Sequence, residues 1–520
     1  MHILIVATSL YNDRFATDWR PDLRYTTSFL RSKGIEAGYI YEPALASPGV
    51  VARCGALAPE MLFLEISEET RSPALTFLAR FKRAHSEVLV AAGGIPATLR
   101  PMDFLGSDTG IDCIVAGERD ATLVEAVERL RRGDGLGGVA GLQSKDSRNP
   151  PRPLLENLDS LGQMAHDGLA ELLHPIAPPE RVGYLVSSRG CYANCSFCGI
   201  PAFFRYSGGM GWRGRSPDVV VAEMFALREQ FEISKFVFLD DDFIGPGEQG
   251  QERARCIAEE IIRRRQRIEY FICCRLNDVR RRTFELLKQS GLEGVGVSVE
   301  SMNQPSLNLL GKGLRADAIY PVLELLEGMG IRCEVNLIFF DPYATLEGVR
   351  KNLALLDYLR KSEYLSYSDA FPFNELTAFP WSRVAAMLRN DGLSADENGR
   401  VPIRDQRVAR LAQFVGCLRR HIPCCFKKTF LFERASAADT SAGSLEAQAM
   451  ASRFLIGLRR WIGLEVLPRT VYAACEVLES GSGDVEARLE ELEGSFENAV
   501  TPLRTLEQEV LRYAVGQSHE

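Results

Sequence analysis

Short apolar, β-rich runs alternate with helical stretches twice along this 520-residue chain. A strand that is apolar on both faces needs cover on both faces, so such alternation implies parallel sheets flanked by helices. In the first series, residues 1–140, HILIVAT, IEAGYIY, MLFLEIS, EVLVAAGG and IDCIVAG read as strands, with DLRYTTSFLRSKG, ALTFLARFKRAH and ATLVEAVERLRRG as helices. This is the pattern of an α/β, doubly wound, Rossmann-like domain. Residues 141–180, with NPPRPLL and HPIAPPE, are proline-rich and weakly periodic, and read as a linker. The second series, residues 181–370, contains VGYLVSS, KFVFLDDDF, EYFICCR, GVGVSVES and RCEVNLIFF as strands. Its repeated β–α units predict a partial (β/α)6 barrel, in which chemistry sits at the C-terminal strand ends. Residues 371–520 read as mostly helical, with a loop at SAADTSAGS (436–444).

Directly after the first strand of the second series comes RGCYANCSFCGI, with Cys191, Cys195 and Cys198 in an eight-residue span. Three thiolates so close can grip one metal centre, and iron–sulfur clusters are held by cysteine thiolates. A four-iron cubane on three cysteines leaves one iron open to a small molecule. The intervening residues, Phe197 among them, are small or aromatic and suit a tight loop that shields a cluster. Structural zinc is the competing reading, but it takes four ligands, and neither a CxxC nor an HxxxH follows nearby. Most of the other cysteines (Cys54, Cys113, Cys256, Cys273, Cys333, Cys417 and Cys475) fall in apolar helical or strand contexts and read as small core residues. Cys424 and Cys425, beside Pro423, read as packing residues or as part of a substrate wall.

Composition narrows the class. A formal net charge of −8 argues against a nucleic-acid partner, and the runs Arg263–Arg265 and Arg280–Arg282 read as solvated helix faces. MHILIVATS lacks the basic region and cleavage site of a signal peptide, and FLIGLRRWIGLEVL is interrupted by Arg459 and Arg460. The expectation is a cytoplasmic protein without a membrane partner.

Ligands of open parallel sheets bind beyond the carboxyl ends of the strands. In the first series those ends carry Thr8, Ser9, Gly93, Gly94, Gly117 and Glu118, where paired glycines let a backbone approach a ligand closely or simply make a tight turn. In the second series Asp240, Asp241, Arg275, Glu300 and Asn336 fall at or near strand ends.

GCYANCSFC, FVFLDDDF, CRLNDV with FELLKQSGL, VGVSVES followed by LNLLGKG, and FFDPYATLEGVRKNL occur in this order. With them the chain resembles the radical S-adenosylmethionine (SAM) enzymes that carry an N-terminal cobalamin-binding domain, a class B methyltransferase-like group. GGIPATLRP and AGERDATLVEAV are similar in layout to the segments flanking the cobalamin tail. The Asp-x-His-x-x-Gly loop of many cobalamin proteins is missing: the first domain has only His2 and His85, neither in that pattern. The resemblance implies that Cys191, Cys195 and Cys198 bind a [4Fe–4S] cluster whose open iron chelates SAM. One electron then cleaves SAM to methionine and a 5′-deoxyadenosyl radical. It makes Glu300 and Arg275 candidates for holding the ribose or carboxylate of SAM, with Asn336, Asp240 and Phe197 as further cofactor contacts. Thr8, Ser9, Gly93, Gly94, Gly117 and Glu118 become candidates toward cobalamin.

The leading expectation is methylation of an unactivated carbon in a small-molecule or peptide substrate, with an electron donor such as flavodoxin or ferredoxin as partner. Radical rearrangement, cyclisation or oxidation without methyl transfer is the alternative, and a zinc-held binding module the remote one. RNA methylthiotransferases share the cysteine spacing but normally carry three further cysteines in the first domain, where this chain has Cys54 and Cys113. Tyr343 and Trp381 are conceivable substrate-wall residues.

Overall fold

The computed structural model describes residues 1–8, 20–42, 45–47, 49–106, 108–174, 176–209, 211–367, 372–422, 461–481 and 484–516. Ser9, Cys424, Cys425 and the 436–444 loop lie outside the described residues. The chain divides into two compact units. One comprises Met1–Ala193, Cys198–Ile272 and Gln289–Gly291; the other comprises Asn194–Phe197, Cys273–Lys288 and Leu292–Glu520.

In the first unit, β1 (His2–Ala7), β2 (Glu36–Tyr41), β3 (Met61–Glu65), β4 (Leu89–Gly93) and β5 (Cys113–Val115) run parallel, and β6 (Leu142–Gln143) closes the edge antiparallel to β5. The order is β2-β1-β3-β4-β5-β6. Period-two alternation sends neighbouring residues into different cores. Leu4, Val6, Leu62, Leu64, Val90 and Ala92 pack with helices Val50–Ala56 and Arg71–Ala84. Ile3, Ile5, Met61, Phe63 and Ala91 pack with helices Pro21–Ser32 and Asp120–Arg131. The strand order reverses between β1 and β3, the position at which doubly wound sheets open a crevice beyond their strand ends.

The proline-rich 141–180 stretch is more than a tether. It supplies β6, and the buried Arg24 guanidinium donates to the carbonyls of Ala165 and Asp167, each at 2.9 Å. The same unit continues through β7 (Val182–Leu185), a short antiparallel ribbon of β8 (Ser188–Arg189) and β9 (Arg213–Gly214), then β10 (Lys235–Phe238) and β11 (Glu269–Cys274) as far as Ile272. β10 lies parallel to both β7 and β11. In helix Gly247–Arg263 the early polar residue Gln251 is fully buried, and Gly250 lies against the Ile244 carbonyl, 2.5 Å from where a Cβ would stand.

The second unit holds β12 (Leu292–Glu300), β13 (Arg332–Leu337) and β14 (Leu365–Tyr367), all parallel. Helix Leu346–Arg360 starts at Thr345, whose hydroxyl accepts the Gly348 N–H at 3.1 Å, a side-chain cap. Beyond residue 371 the described elements are chiefly helices: Arg383–Asn390, Gln406–His421, Leu467–Ser480 and Val485–Gly516. No described helix is long and apolar enough to cross a membrane. Cys54, Cys113, Cys333 and Cys475 are buried as expected, whereas Cys256, Cys273 and Cys417 are half-buried at element surfaces.

Candidate active site

Cys191 and Cys198 belong to the first unit and Cys195 to the second. In the first unit, Asp240 follows β10 with its carboxylate buried at 4% exposure. It accepts the Ser187 N–H at 2.8 Å, the Ser187 hydroxyl at 2.9 Å and the Ser188 hydroxyl at 3.0 Å, together with the Ser188 N–H. Burial raises the Asp240 pKa against the opposing pull of Arg253 and of these hydrogen bonds. Arg253 donates to the Ser187 carbonyl at 2.6 Å, and its own burial lowers its pKa to about 10. Asp240 is thus fully committed to the end of β7, and β10 stops before the three aspartates because this one turns inward. Asp241 is exposed, while Asp242 is buried.

Gly190 then turns with φ 84°, and a Cβ there would stand 2.2 Å from the Gly211 carbonyl oxygen, so this position accepts only glycine. Cys191 Sγ accepts the Ala193 N–H at 3.4 Å and lies 4.0 Å from Asp242 Oδ2. Cys198 caps the N-terminus of helix Gly199–Tyr206.

In the second unit, the middle of the loop is pinned by the LLGKG segment. Ser196 donates its N–H to the Leu310 carbonyl at 2.8 Å and its hydroxyl to the Leu309 carbonyl at 2.7 Å, while its own carbonyl accepts the Val384 N–H at 2.8 Å. Arg383 donates to the Asn194 carbonyl at 2.8 Å. Arg275 reaches Cys195 Sγ at 3.6 Å with one nitrogen and the Lys312 carbonyl at 2.5 Å with the other. Lys312 pairs with Glu300 at 3.0 Å, both side chains under 10% exposed. Glu300 sits on a β-bulge with φ 68°, a left-handed conformation uncommon for a side-chain-bearing residue. Phe197 packs, partly buried, on the apolar cluster that contains Leu310, Leu376, Val384 and Leu388. Asn336, half-buried on β13, is in register with Ser298.

Arg275, Lys312 and Glu300 therefore form one chain of contacts to Cys195. Lys312, Ser196 and the carbonyls of Leu309 and Leu310 are positioning groups that residue-type reasoning passed over; the GKG turn was the available signal. Tyr343 donates to Asp391 and lies under Arg404, 4.8 Å from its ring centroid, and Trp381 stacks on Phe379 at 5.1 Å.

At the first sheet's carboxyl ends the expected contacts turn inward. Thr8 is buried, and its carbonyl accepts from Arg20 at 3.0 Å. The space a side chain would need at Gly94 belongs to the Ile66 carbonyl, 2.1 Å away, and that at Gly93 to the Phe63 ring. Gly117 donates its N–H to Thr98 at 3.0 Å. Glu118 is taken up by Arg213 and by the Leu155 N–H at 2.8 Å. Around the β1/β3 switch lies a set of ion pairs absent from the sequence expectations: Arg20 with Asp22 at 2.8 Å and with Glu65 at 3.3 Å, and Arg119 with Asp22 at 2.8 Å and with Glu65. Three consecutive charges after a strand-end glycine, Glu118-Arg119-Asp120, were the readable sign of it.

The cysteine set has the chemistry an iron–sulfur cluster requires: three half-buried thiols, none in a disulfide, on one short loop. Cys191 and Cys195 are here turned to Asp242 and Arg275. Among the described residues no three or more His, Cys, Asp or Glu side chains are gathered to hold a metal, the three cysteines included, so holding a cluster would require these thiols to turn toward one another.

Residues 185–356 match the Radical SAM superfamily. An uncharacterized methyltransferase of Pyrococcus horikoshii is 27% identical over 319 residues, 61% of this chain and 67% of that protein. The fold matches the cobalamin-dependent SAM radical enzyme OxsB, solved with aqua-cobalamin and SAM, with a TM-score of 0.74 at 16% identity, over 98% of this chain and 80% of that one. It also matches the radical SAM methyltransferase TsrM of Kitasatospora setae, solved with cobalamin and a [4Fe–4S] cluster, with a TM-score of 0.61 at 18% identity, over 75% of each chain. Residues 185–356 are thus a radical SAM domain, in a chain similar in sequence to a methyltransferase and in fold to cobalamin-dependent radical SAM enzymes.

Proposed function

We propose that this enzyme cleaves SAM reductively at a [4Fe–4S] cluster on Cys191, Cys195 and Cys198, and methylates an unactivated carbon of a small molecule or peptide with the help of cobalamin. When bound, the cluster supplies the electron and the docking point that split the sulfonium, and cobalamin supplies a methyl carrier. The observation that carries the reading is three half-buried thiols, none in a disulfide, within eight residues of a loop whose start is tied at Ser187–Ser188 and whose Ser196 is tied to Leu309 and Leu310.

The chain's own residues bind, orient and exclude water. Arg275 places positive charge beside Cys195, 3.6 Å from its Sγ. Phe197 and the apolar cluster it joins shield that side of the loop. Glu300, held by Lys312, and Asn336 stand toward SAM. Thr8, Gly93, Gly94 and Gly117, at or just after strand ends of the first sheet, would lie on the side toward cobalamin, their own contacts turned inward. What supports cobalamin is the likeness to OxsB and TsrM and the sheet reversal at β1/β3, not an individual ligand residue. A small electron carrier of the flavodoxin or ferredoxin type supplies the reducing electron.

Anaerobically purified protein is expected to hold about four iron atoms per chain, a corrinoid, and reductant-dependent formation of 5′-deoxyadenosine and methionine from SAM. A product heavier by one methylene separates methylation from rearrangement, cyclisation or oxidation. A fully loaded protein that leaves SAM intact under strong reductant refutes the reading.

A further inference from the structure

Arg189 and Arg213 face each other in register on the β8–β9 ribbon. Both reach the short stretch Glu118–Asp120 that follows β5. Arg213 closes on Glu118 at 3.0 and 2.7 Å. Arg189 closes on Asp120 at 2.6 and 3.3 Å, with Glu118 at 3.5 Å. Leu155 N–H completes Glu118 at 2.8 Å, and the Thr26 hydroxyl completes Asp120 at 2.7 Å. Asp120 is 1% exposed and Arg189 12%. Two cations meet two anions in a buried set that is neutral within itself. Two-pronged arginine–carboxylate pairs fix orientation as well as charge.

The ribbon leads straight into the cysteine loop. Arg189 is separated from Cys191 only by Gly190, whose backbone is pressed against Gly211. A displacement at Arg189 therefore has no slack in which to dissipate before it reaches the first thiol.

We propose that Arg189, Arg213, Glu118 and Asp120 form a positioning clamp that sets the place of Cys191 relative to the carboxyl ends of the first sheet. Glu118 then acts through the loop rather than by touching a cofactor. The inference rests on the reading of Cys191 as a cluster ligand, and none of the four is itself a catalytic residue.

The test begins with full-length, cluster-free protein, so that its outcome is independent of SAM cleavage. Amide exchange across residues 187–193 and the alkylation rate of Cys191 by iodoacetamide are measured in Arg189→Met, Arg213→Met, the double variant and Arg189→Lys. Arg24→Met, which removes a buried arginine of the same unit that donates to the carbonyls of Ala165 and Asp167, controls for general destabilisation. The double variant is expected to raise both rates at least about tenfold through local opening, with Arg189→Lys intermediate and Arg24→Met unchanged at these residues. After cluster loading, the reduced-cluster EPR spectrum with SAM should shift in the double variant and return toward wild type with Arg189→Lys. Unchanged rates in the double variant, or an equal rise in Arg24→Met, overturn the clamp. If the clamp results hold while loaded wild type leaves SAM intact, the functional reading fails and the clamp stands as architecture.

Discussion

Replacing Asp240 isolates the cost of anchoring the cysteine loop. In Asp240→Ala the N–H groups of Ser187 and Ser188 lose their acceptor in a fully buried place. Each orphaned buried donor costs about 1–3 kcal/mol, whereas the two hydroxyls can rotate, Ser188 toward the Asp242 carbonyl at 3.1 Å. The expected local loss is about 4 kcal/mol, equivalent to roughly a thousandfold in the opening equilibrium. Asp240→Asn keeps one acceptor oxygen but turns an NH2 toward donors, for about 2 kcal/mol or roughly thirtyfold. Amide exchange at Ser187–Arg189 reads this directly, whereas a global midpoint does not, because two compact units need not unfold together. The sign with pH is also set. Because burial raises the folded pKa of Asp240, its contribution is complete below the ordinary carboxylate value and falls as pH rises through the raised one. The Asn penalty should therefore be larger at acidic than at neutral pH. Exchange within threefold of wild type in both variants would refute the argument that this carboxylate holds the loop.

Asp120 behaves oppositely. Burial pushes its pKa up, but Arg189 and the other partners outweigh burial and bring it to about 2 from an ordinary 3.8. Its contribution, about 2 kcal/mol, is present above pH 3.8 and is lost as pH falls through about 2, so Asp120→Asn should flatten the stability-against-pH curve across that window in acid titration. Lys312→Met leaves the buried Glu300 carboxylate unpaired and should cost about 3–5 kcal/mol in local exchange stability around β12, with Glu300→Gln/Lys312→Met recovering part of it. Burial pushes the Cys54 and Cys113 thiols up to about 12, so iodoacetamide at pH 8 should pass them over in native protein and label them only after denaturation. Mass mapping of the alkylated peptides checks this.

Periodicity and local chemistry carried a long way in this chain. Strands buried on both faces announce themselves as apolar runs, so β1, β3 and β4 were legible from their sequence, as were β12 and β13 from β-rich runs that alternate buried and half-buried residues, and the cysteine loop from its spacing. Polar residues whose role depends on a distant partner were not. Asp240 read as a cofactor contact because a carboxylate at a strand end looks open; only the folded chain shows four donors from Ser187 and Ser188 closing over it. Glu118 read the same way and is consumed by Arg213, 95 residues away. In helix Gly247–Arg263 the polar Gln251 is fully buried, which no apolar pattern encodes.

By itself the sequence determined the two strand–helix series, the helical remainder and a three-thiol loop, because hydrophobic period and ligand spacing are local properties of the chain. Tertiary structure alone decided which charges meet. An ion pair or a buried hydrogen bond depends on two groups far apart in sequence arriving within about 3 Å of each other with water excluded, and only the packed fold brings Arg189 to Asp120, Arg275 to Cys195 and Lys312 to Glu300.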